Sequence, residues 1–182
     1  MTLFDLLSAR RWREWVVRDV CGDVLELGVG TGSNLPYYRQ ARTIVAIDPN
    51  SGSLTRAAKR REGTVVALYR ASAEELPFAD ESFDAVVATL VLCSVGDPER
   101  GLVESRRVLK TGGMLRLVEH VRVQNPMGAG IQDALTPLWK RVAGNCHLNR
   151  DTLSSVEQAG FQVRTVTPYL GGLVIGIDAV KS

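Results

Sequence analysis

Glu26, Gly28, Gly30, Gly32 and Asp48 are the first residues whose types and spacing could do chemistry. An acid leads three glycines at alternating positions in Leu25-Glu-Leu-Gly-Val-Gly-Thr-Gly-Ser-Asn34. Such glycines let the backbone turn tightly and let a ligand press against it with no Cβ between. Asp48 stands 20 residues after Gly28 and is followed by Pro49. A carboxylate there, at the end of a second strand, can accept hydrogen bonds from both hydroxyls of a ribose. Glu26 is an acid inside an apolar run, and a buried charge without partners is costly. It must brace the glycine loop or reach a cationic group on the ligand. The chemistry implied is the binding of an adenosyl-type ligand.

A second group falls where a reaction partner would arrive, at the carboxyl ends of a fourth and a fifth strand. The fourth ends in Thr89-Leu-Val-Leu-Cys93, which offers Leu90, Leu92 and Cys93; the fifth ends in Glu119 and His120. Imidazole titrates near neutrality and suits a general base, so His120 is expected to receive or deprotonate an acceptor, with Glu119 beside it. His147 reads either as an acceptor contact or as a capping residue of its loop. Trp139, with Gln132 and Leu135, lies in a segment expected to shape acceptor choice.

These residues need a frame. Val24–Leu27, Thr43–Ile47, Thr64–Tyr69, Phe83–Ala88, Met114–Glu119, Phe161–Thr167 and Leu173–Val180 read as seven strands. Ser33 and Asn34 are helix-start residues, as is Asn50 or Ser53 for a helix through Arg61 to Gly63. Asp97 with Pro98 starts another helix, ending near Lys110, and Asp151 starts one ending at Gly160. Alternating strands and helices followed by a final hairpin imply an α/β fold. The expected architecture is a Rossmann-like, doubly wound, seven-stranded, mostly parallel sheet with a C-terminal antiparallel hairpin. Residues 1–182 form a single domain in this reading. It carries a basic, Trp-bearing N-terminal helix over residues 1–20 and an acceptor-side insertion over residues 126–150. That first helix, with Arg10, Arg11, Arg13 and Arg18 solvated, is expected to pack across the sheet edge and lid the pocket rather than lie on a membrane surface.

Composition excludes several classes. Hydrophobic residues make up 45% and charged residues 23%, as in a globular chain. A net charge of +2 is too small to argue for nucleic acid. No segment has the ~18 consecutive apolar residues of a membrane span, and no signal-peptide pattern opens the chain. Cys21, Cys93 and Cys146 make no CxxC and no zinc spacing. They read as reduced thiols in a cytoplasmic protein, monomeric or weakly dimeric, with no metal expected.

The acidic-x-Gly-x-Gly-x-Gly pattern resembles motif I of class I S-adenosylmethionine methyltransferases rather than a nicotinamide site, which would place a small apolar residue where Ser33 stands. Beyond motif I, Ile47-Asp-Pro-Asn50, Thr89-Leu-Val-Leu-Cys-Ser-Val95, Arg107-Val-Leu-Lys-Thr-Gly-Gly113, Glu119-His-Val121 and Cys146-His-Leu-Asn-Arg150 resemble animal methyltransferase-like alkyl thiol S-methyltransferases. The resemblance implies S-adenosylmethionine as donor, S-adenosylhomocysteine as product and a small thiol as acceptor. It also implies an adenine contact from the Arg70–Phe78 loop, through Ser72 where the family carries Asp, and through the Ala73 backbone. Pro49, Thr89 and Leu90 join Glu26, the glycines and Asp48 around the donor. The animal proteins carry a membrane anchor before the sheet, which is not expected here. Bacterial phosphatidylethanolamine N-methyltransferases are also similar, through motif I and Leu76-Pro-Phe78, and imply a phospholipid or small amine as the alternative acceptor. A third reading is a domain that binds S-adenosylmethionine without catalysis.

A sulfonium donor sets a definite demand. The acceptor must approach the methyl carbon in line, held about 3–3.5 Å away. A thiolate neutralises charge in that step and favours a dry pocket. An amine leaves a new cation and favours a nearby base.

Overall fold

Apolar runs that do not alternate with polar residues suit strands covered on both faces. In the structure, a computed structural model, residues 3–60 and 66–182 are described, with side chains from residue 10 onward. Its strands are β1 (Cys21–Leu27), β2 (Gln40–Ile47), β3 (Val66–Tyr69), β4 (Phe83–Thr89), β5 (Leu109–His120), β6 (Phe161–Tyr169) and β7 (Val174–Lys181). They form one sheet in the order β3-β2-β1-β4-β5-β7-β6. β1 to β5 pair in parallel, and β7 runs antiparallel to both β5 and β6. The seven-stranded, mostly parallel sheet with its hairpin is as expected. The antiparallel strand, however, is inserted between β5 and β6, and β6 forms the edge. Pro168 lies within β6 rather than in the loop, which an edge strand tolerates because one side needs no ladder donor.

The helices are α1 (Leu3–Val17), α2 (Ser51–Ala57), α3 (Pro98–Val108), α4 (Pro126–Val142) and α5 (Thr152–Gln158). Successive strand residues point to opposite faces. Leu25, Leu27, Val86, Leu115, Leu117 and Ile177 pack with Leu102, Val108 and Val156 of α3 and α5. Val24, Ile44, Val87 and Val118 pack on the other face with Val16 and Val17 of α1. The caps follow the sequence: Asn50, Asp97, Asn125 and Asp151 each accept a backbone N–H in the first turn of their helices. The part of the expected second helix beyond Arg60, and the start of the third strand at Thr64, lie outside the described residues.

Two expectations are corrected. Ser33 and Asn34 start no α-helix; a single 3-10 turn, Leu35–Tyr37, follows the glycine loop. Residues 28–39 are barely enough for the crossover between parallel strands, and Pro36 sits within that turn. The arginines of α1 are not all solvated. Arg13 turns inward and donates to the Asn34 side chain at 3.0 Å. Trp12 and Trp15 pack on Tyr169, with ring centroids 5.8 and 6.4 Å apart. Arg116 of β5 donates to the Trp15 and Arg18 carbonyls, placing a cation at the C-terminal end of α1, where the helix dipole favours it.

Candidate functional site

The glycine loop leaves β1 with Gly28, Gly30 and Gly32 all in the left-handed region, at φ 57°, 53° and 78°. A Cβ on Gly28 would stand 2.6 Å from Val91, and one on Gly32 would stand 3.0 Å from Ala57. At Gly30 a Cβ would meet nothing nearer than 3.9 Å. Gly28 and Gly32 therefore fit the loop against its neighbours, while Gly30 turns a bare, open backbone outward. Asp48 ties the loop to the end of β2: its carboxylate accepts the Gly30 N–H and the Asn50 N–H, both at 2.9 Å. Pro49, beside it, is exposed, and its carbonyl accepts from Arg70 at 3.1 Å.

Glu26 is 2% exposed. One carboxylate oxygen accepts from Asn34 Nδ2 at 3.0 Å, and the same nitrogen reaches Thr89 Oγ1 at 3.1 Å. The other oxygen and the buried Tyr38 hydroxyl make no bond of good hydrogen-bond geometry, but the hydroxyl stands close enough to Glu26 to act on it. Burial pushes the Glu26 carboxyl up to about 7, against the opposing pull of Tyr38, Asn34 and the Arg13 charge. Arg13, Asn34, Glu26 and Thr89 thus form one chain of polar groups from α1 to β4, buried at Glu26 and Asn34 and half-buried at its two ends. Asn34 and Arg13 were not read from the sequence as site residues. Asn34 looked like a helix start, and nothing local shows that its amide is needed inside.

The Arg70–Phe78 loop is held by α3. Leu76 N–H donates to Glu104 at 2.8 Å, and Arg107 donates to the Leu76 and Phe78 carbonyls. Ser72 Oγ bonds Glu74 at 2.9 Å and accepts the Glu74 N–H at 3.2 Å. Ala73 buries its methyl in the core, leaving its backbone as what it can offer a ligand. Glu74 also accepts the Asp97 N–H at 2.6 Å.

Just beyond β4, Leu90 adopts φ 58°, uncommon for a branched side chain, and its N–H donates to Val118. The turn leaves Leu90 and Val91 half-buried and sends Leu92 and Cys93 inside. Leu92 packs on α3 in the core rather than lining an open pocket. Glu119 is 0% exposed and accepts three backbone N–H groups, from Val91, Leu92 and Cys93, at 2.8, 2.9 and 3.0 Å. Burial raises its carboxyl above the usual range, opposed by those same N–H groups. It positions the loop and does not face an acceptor, which corrects its expected role. The carbonyls of that loop are held from the other side. Arg150 donates to Leu92 and Val95, His147 to Cys93, and Asn145 to Ser94. The His147 ring nitrogen also lies 3.2 Å from the Cys93 carbonyl. His147 is a loop fastener in this geometry.

His120 is half-buried, and its Nδ1 faces two sulfurs, Cys146 Sγ at 3.4 Å and Cys93 Sγ at 3.9 Å. The sulfurs are 3.4 Å apart. Two of the three thiols, far apart in the sequence, therefore meet in a cluster, while Cys21 is exposed. A proton kept by one sulfur serves the other: Cys93 is raised above the ordinary thiol value, and Cys146 is lowered by that contact and by His120. Trp139 lies against Cys146 and is 40% exposed. No sequence signal showed the cluster, because its members are 26 to 53 positions apart. A cavity of about 790 Å³ opens beyond the ends of β5 and β7, lined by Val121, Asn125, Leu153, Val166, Pro168 and Ile175 among others. None of its lining residues belongs to the glycine loop.

Among the described residues no helix is long and apolar enough to cross a membrane. A family model described as a methyltransferase domain matches residues 25–117. The rat thiol S-methyltransferase TMT1B is 42% identical over 149 residues, covering 76% of this chain and 59% of that protein. The chain thus spans somewhat over half the length of that relative. The phosphatidylethanolamine N-methyltransferase of Cereibacter sphaeroides is 40% identical over 113 residues, 59% of this chain and 56% of that protein. A solved S-adenosylmethionine-dependent methyltransferase of Thermotoga maritima, described as a possible histamine N-methyltransferase, superposes with a TM-score of 0.72 at 25% identity. It covers 98% of this chain and 90% of its own. Glycine loop, strand order and matches agree: the chain belongs to the methyltransferase-domain family.

Proposed function

We propose that this chain transfers a methyl group from S-adenosylmethionine to a small-molecule nucleophile, and that a thiol is the acceptor. One observation carries the donor half. Gly30 presents open backbone beside the Asp48 carboxylate, and the buried Glu26 close by keeps an oxygen that makes no well-formed hydrogen bond, with only the Tyr38 hydroxyl near it. A ribose diol fits the first, and an ammonium group fits the second. Pro49, Ser72, Ala73, Thr89 and Leu90 complete the cradle. When bound, the donor supplies a sulfonium whose methyl carbon is open to attack.

The protein's own part is to bind, orient and exclude water. Asp48 and the loop fix the ribose end. Glu119, Arg150 and His147 hold residues 91–95 so that Leu90 and Val91 form a rigid apolar wall. A dry wall favours a thiolate, whose charge disappears as it is methylated. The similarity to thiol S-methyltransferases supports the same acceptor.

A second reading has an observation of its own. Met127, Ile131, Leu135, Leu138 and Val142 are exposed along one side of α4, which suits contact with a lipid and so a phospholipid acceptor. α1 packs its tryptophans on Tyr169 and so adds nothing to that reading. The test is incubation with S-adenosylmethionine and a panel of thiols. S-adenosylhomocysteine formed in a thiol-dependent way supports the proposal. Turnover only with phosphatidylethanolamine vesicles supports the lipid reading, and donor binding without turnover on either supports a non-catalytic domain.

A further inference from the structure

The Cys93–Cys146–His120 cluster has a shape of its own. The sulfur of each cysteine and a ring nitrogen of His120 all lie within 4.8 Å of one another. A tetrahedral Zn²⁺ with bonds of about 2.3 Å to sulfur and 2.0–2.1 Å to nitrogen holds its sulfurs about 3.8 Å apart and each sulfur about 3.6 Å from the nitrogen. The observed separations are 3.4 Å between sulfurs and 3.4 and 3.9 Å from sulfur to nitrogen. Side-chain shifts of a few tenths of an ångström convert one arrangement into the other.

We propose that Cys93, Cys146 and His120 bind a soft to borderline cation, Zn²⁺ as the type, and leave its fourth position open to the sulfur of a thiol acceptor. The donor set is two thiolates and one imidazole, the chemistry that selects such ions over Mg²⁺ or Ca²⁺. The cluster is built rather than incidental. Glu119 fixes the Cys93 N–H and His147 fixes the Cys93 carbonyl, so both hold the backbone beside one ligand. Support of this kind behind the ligands is what metal sites require. No fourth His, Cys, Asp or Glu completes the group among the described residues. Three protein ligands with an open corner is the pattern of zinc sites that bind a reactant, while purely structural sites are closed by four.

Access comes from the acceptor side. His120 is half-buried, and Trp139 beside Cys146 is part-exposed. A thiol entering there would form a metal–sulfur bond, displace a metal-bound water and release its S–H proton to solvent. The metal site stands on the cluster's geometry alone; the thiol at its open corner rests on the proposed function.

The test uses the full chain, reduced with a phosphine and stripped of metal. One equivalent of Co²⁺ is expected to give thiolate-to-cobalt charge-transfer absorption and the intense visible bands of a tetrahedral site, and Zn²⁺ is expected to abolish both. A small thiol should shift the Co²⁺ bands, and its S-methyl ether should not. Cys93→Ser and Cys146→Ser should each lose the charge-transfer signal and stoichiometric Zn²⁺ uptake, while Cys21→Ser keeps both. S-adenosylhomocysteine binding by calorimetry confirms that each variant is folded. Reduced protein that takes up no Zn²⁺, or equal loss in Cys21→Ser, would overturn the site. Metal uptake with bands indifferent to thiol would overturn the open corner. Thiol methylation by metal-free protein would overturn the acceptor's place at the open corner and leave the proposed function standing. A thiol-responsive site in a protein that methylates nothing would sustain the inference and remove the function.

Discussion

Asp48 has about four acceptor positions on its two oxygens, and the structure fills two of them with the Gly30 and Asn50 N–H groups. The remaining two match a ribose diol. Asp48→Ala would remove the proposed ribose contacts and free the loop together. A hydrogen bond to a charged group contributes roughly 1.5–3 kcal/mol, so S-adenosylhomocysteine should bind on the order of 10 to 100 times more weakly by calorimetry. Unchanged affinity would remove Asp48 from the donor site. Glu26 makes a pH prediction with a definite sign. Its folded carboxyl lies near 7, above the ordinary 4.5, because burial penalises the anion. A raised acid favours the folded state fully below 4.5, and that contribution disappears as pH climbs to about 7. The shift corresponds to a loss of about 3 kcal/mol across the window. Chemical denaturation of the free protein between pH 4.5 and 7.5 should show this decline, and Glu26→Gln should flatten it. A ligand ammonium beside Glu26 favours the anion. Calorimetry near pH 6.5 in buffers of different ionisation enthalpy should therefore show proton release on binding, absent in Glu26→Gln.

At the scale of elements, the loop after β4 is held by its backbone. Its N–H groups meet the Glu119 carboxylate, and its carbonyls meet Arg150, His147 and Asn145. Glu119→Gln replaces one oxygen with an amide that donates toward N–H groups that also donate. Leaving buried donors unsatisfied beside it should cost about 3 kcal/mol. For a chain of this size that lowers the melting temperature by roughly 6–12 °C. A Glu119→Gln protein with wild-type melting would show that the carboxylate does not hold the loop. Glu119-His120 stood out in the sequence as a pair of candidate chemical groups. Adjacent residues on a strand point to opposite sides, so one of them had to face away, and the sequence could not say which. Helix starts were more legible. Asp97 and Asp151 cap as read, and of the two candidates Asn50 and Ser53 it is Asn50 that caps, because a cap is decided by the few residues around it. The glycine loop's missing helix was not, because its absence follows from how soon β2 must return.

For the whole molecule, the decisive feature is β7 lying between β5 and β6. It covers the β5 edge along Met114–His120 and carries β6 outside it. Ile177 and Ala179 then close one face of the core. Removing residues 161–182 would leave β5 as a long open edge next to exposed Leu115 and Leu117, a template for intermolecular pairing. The truncated chain should aggregate, with large particles by light scattering and no cooperative thermal transition. A soluble monomer that still binds S-adenosylhomocysteine would show the hairpin to be dispensable.

Local patterns settled much of this protein in advance. Seven apolar runs gave seven strands, and the alternating glycines after Glu26 gave the donor loop. The spacing to Asp48 gave the acid at the end of β2. Each is fixed by neighbours in the chain, through backbone sterics and the pleat of a strand. Folding in three dimensions decided the rest. It chose which of Glu119 and His120 faces inward, drew Arg13 and Asn34 onto Glu26, and set Cys146 against Cys93. Those choices depend on groups far apart in the chain meeting where water is excluded, and there a polar atom keeps its place only by finding a partner.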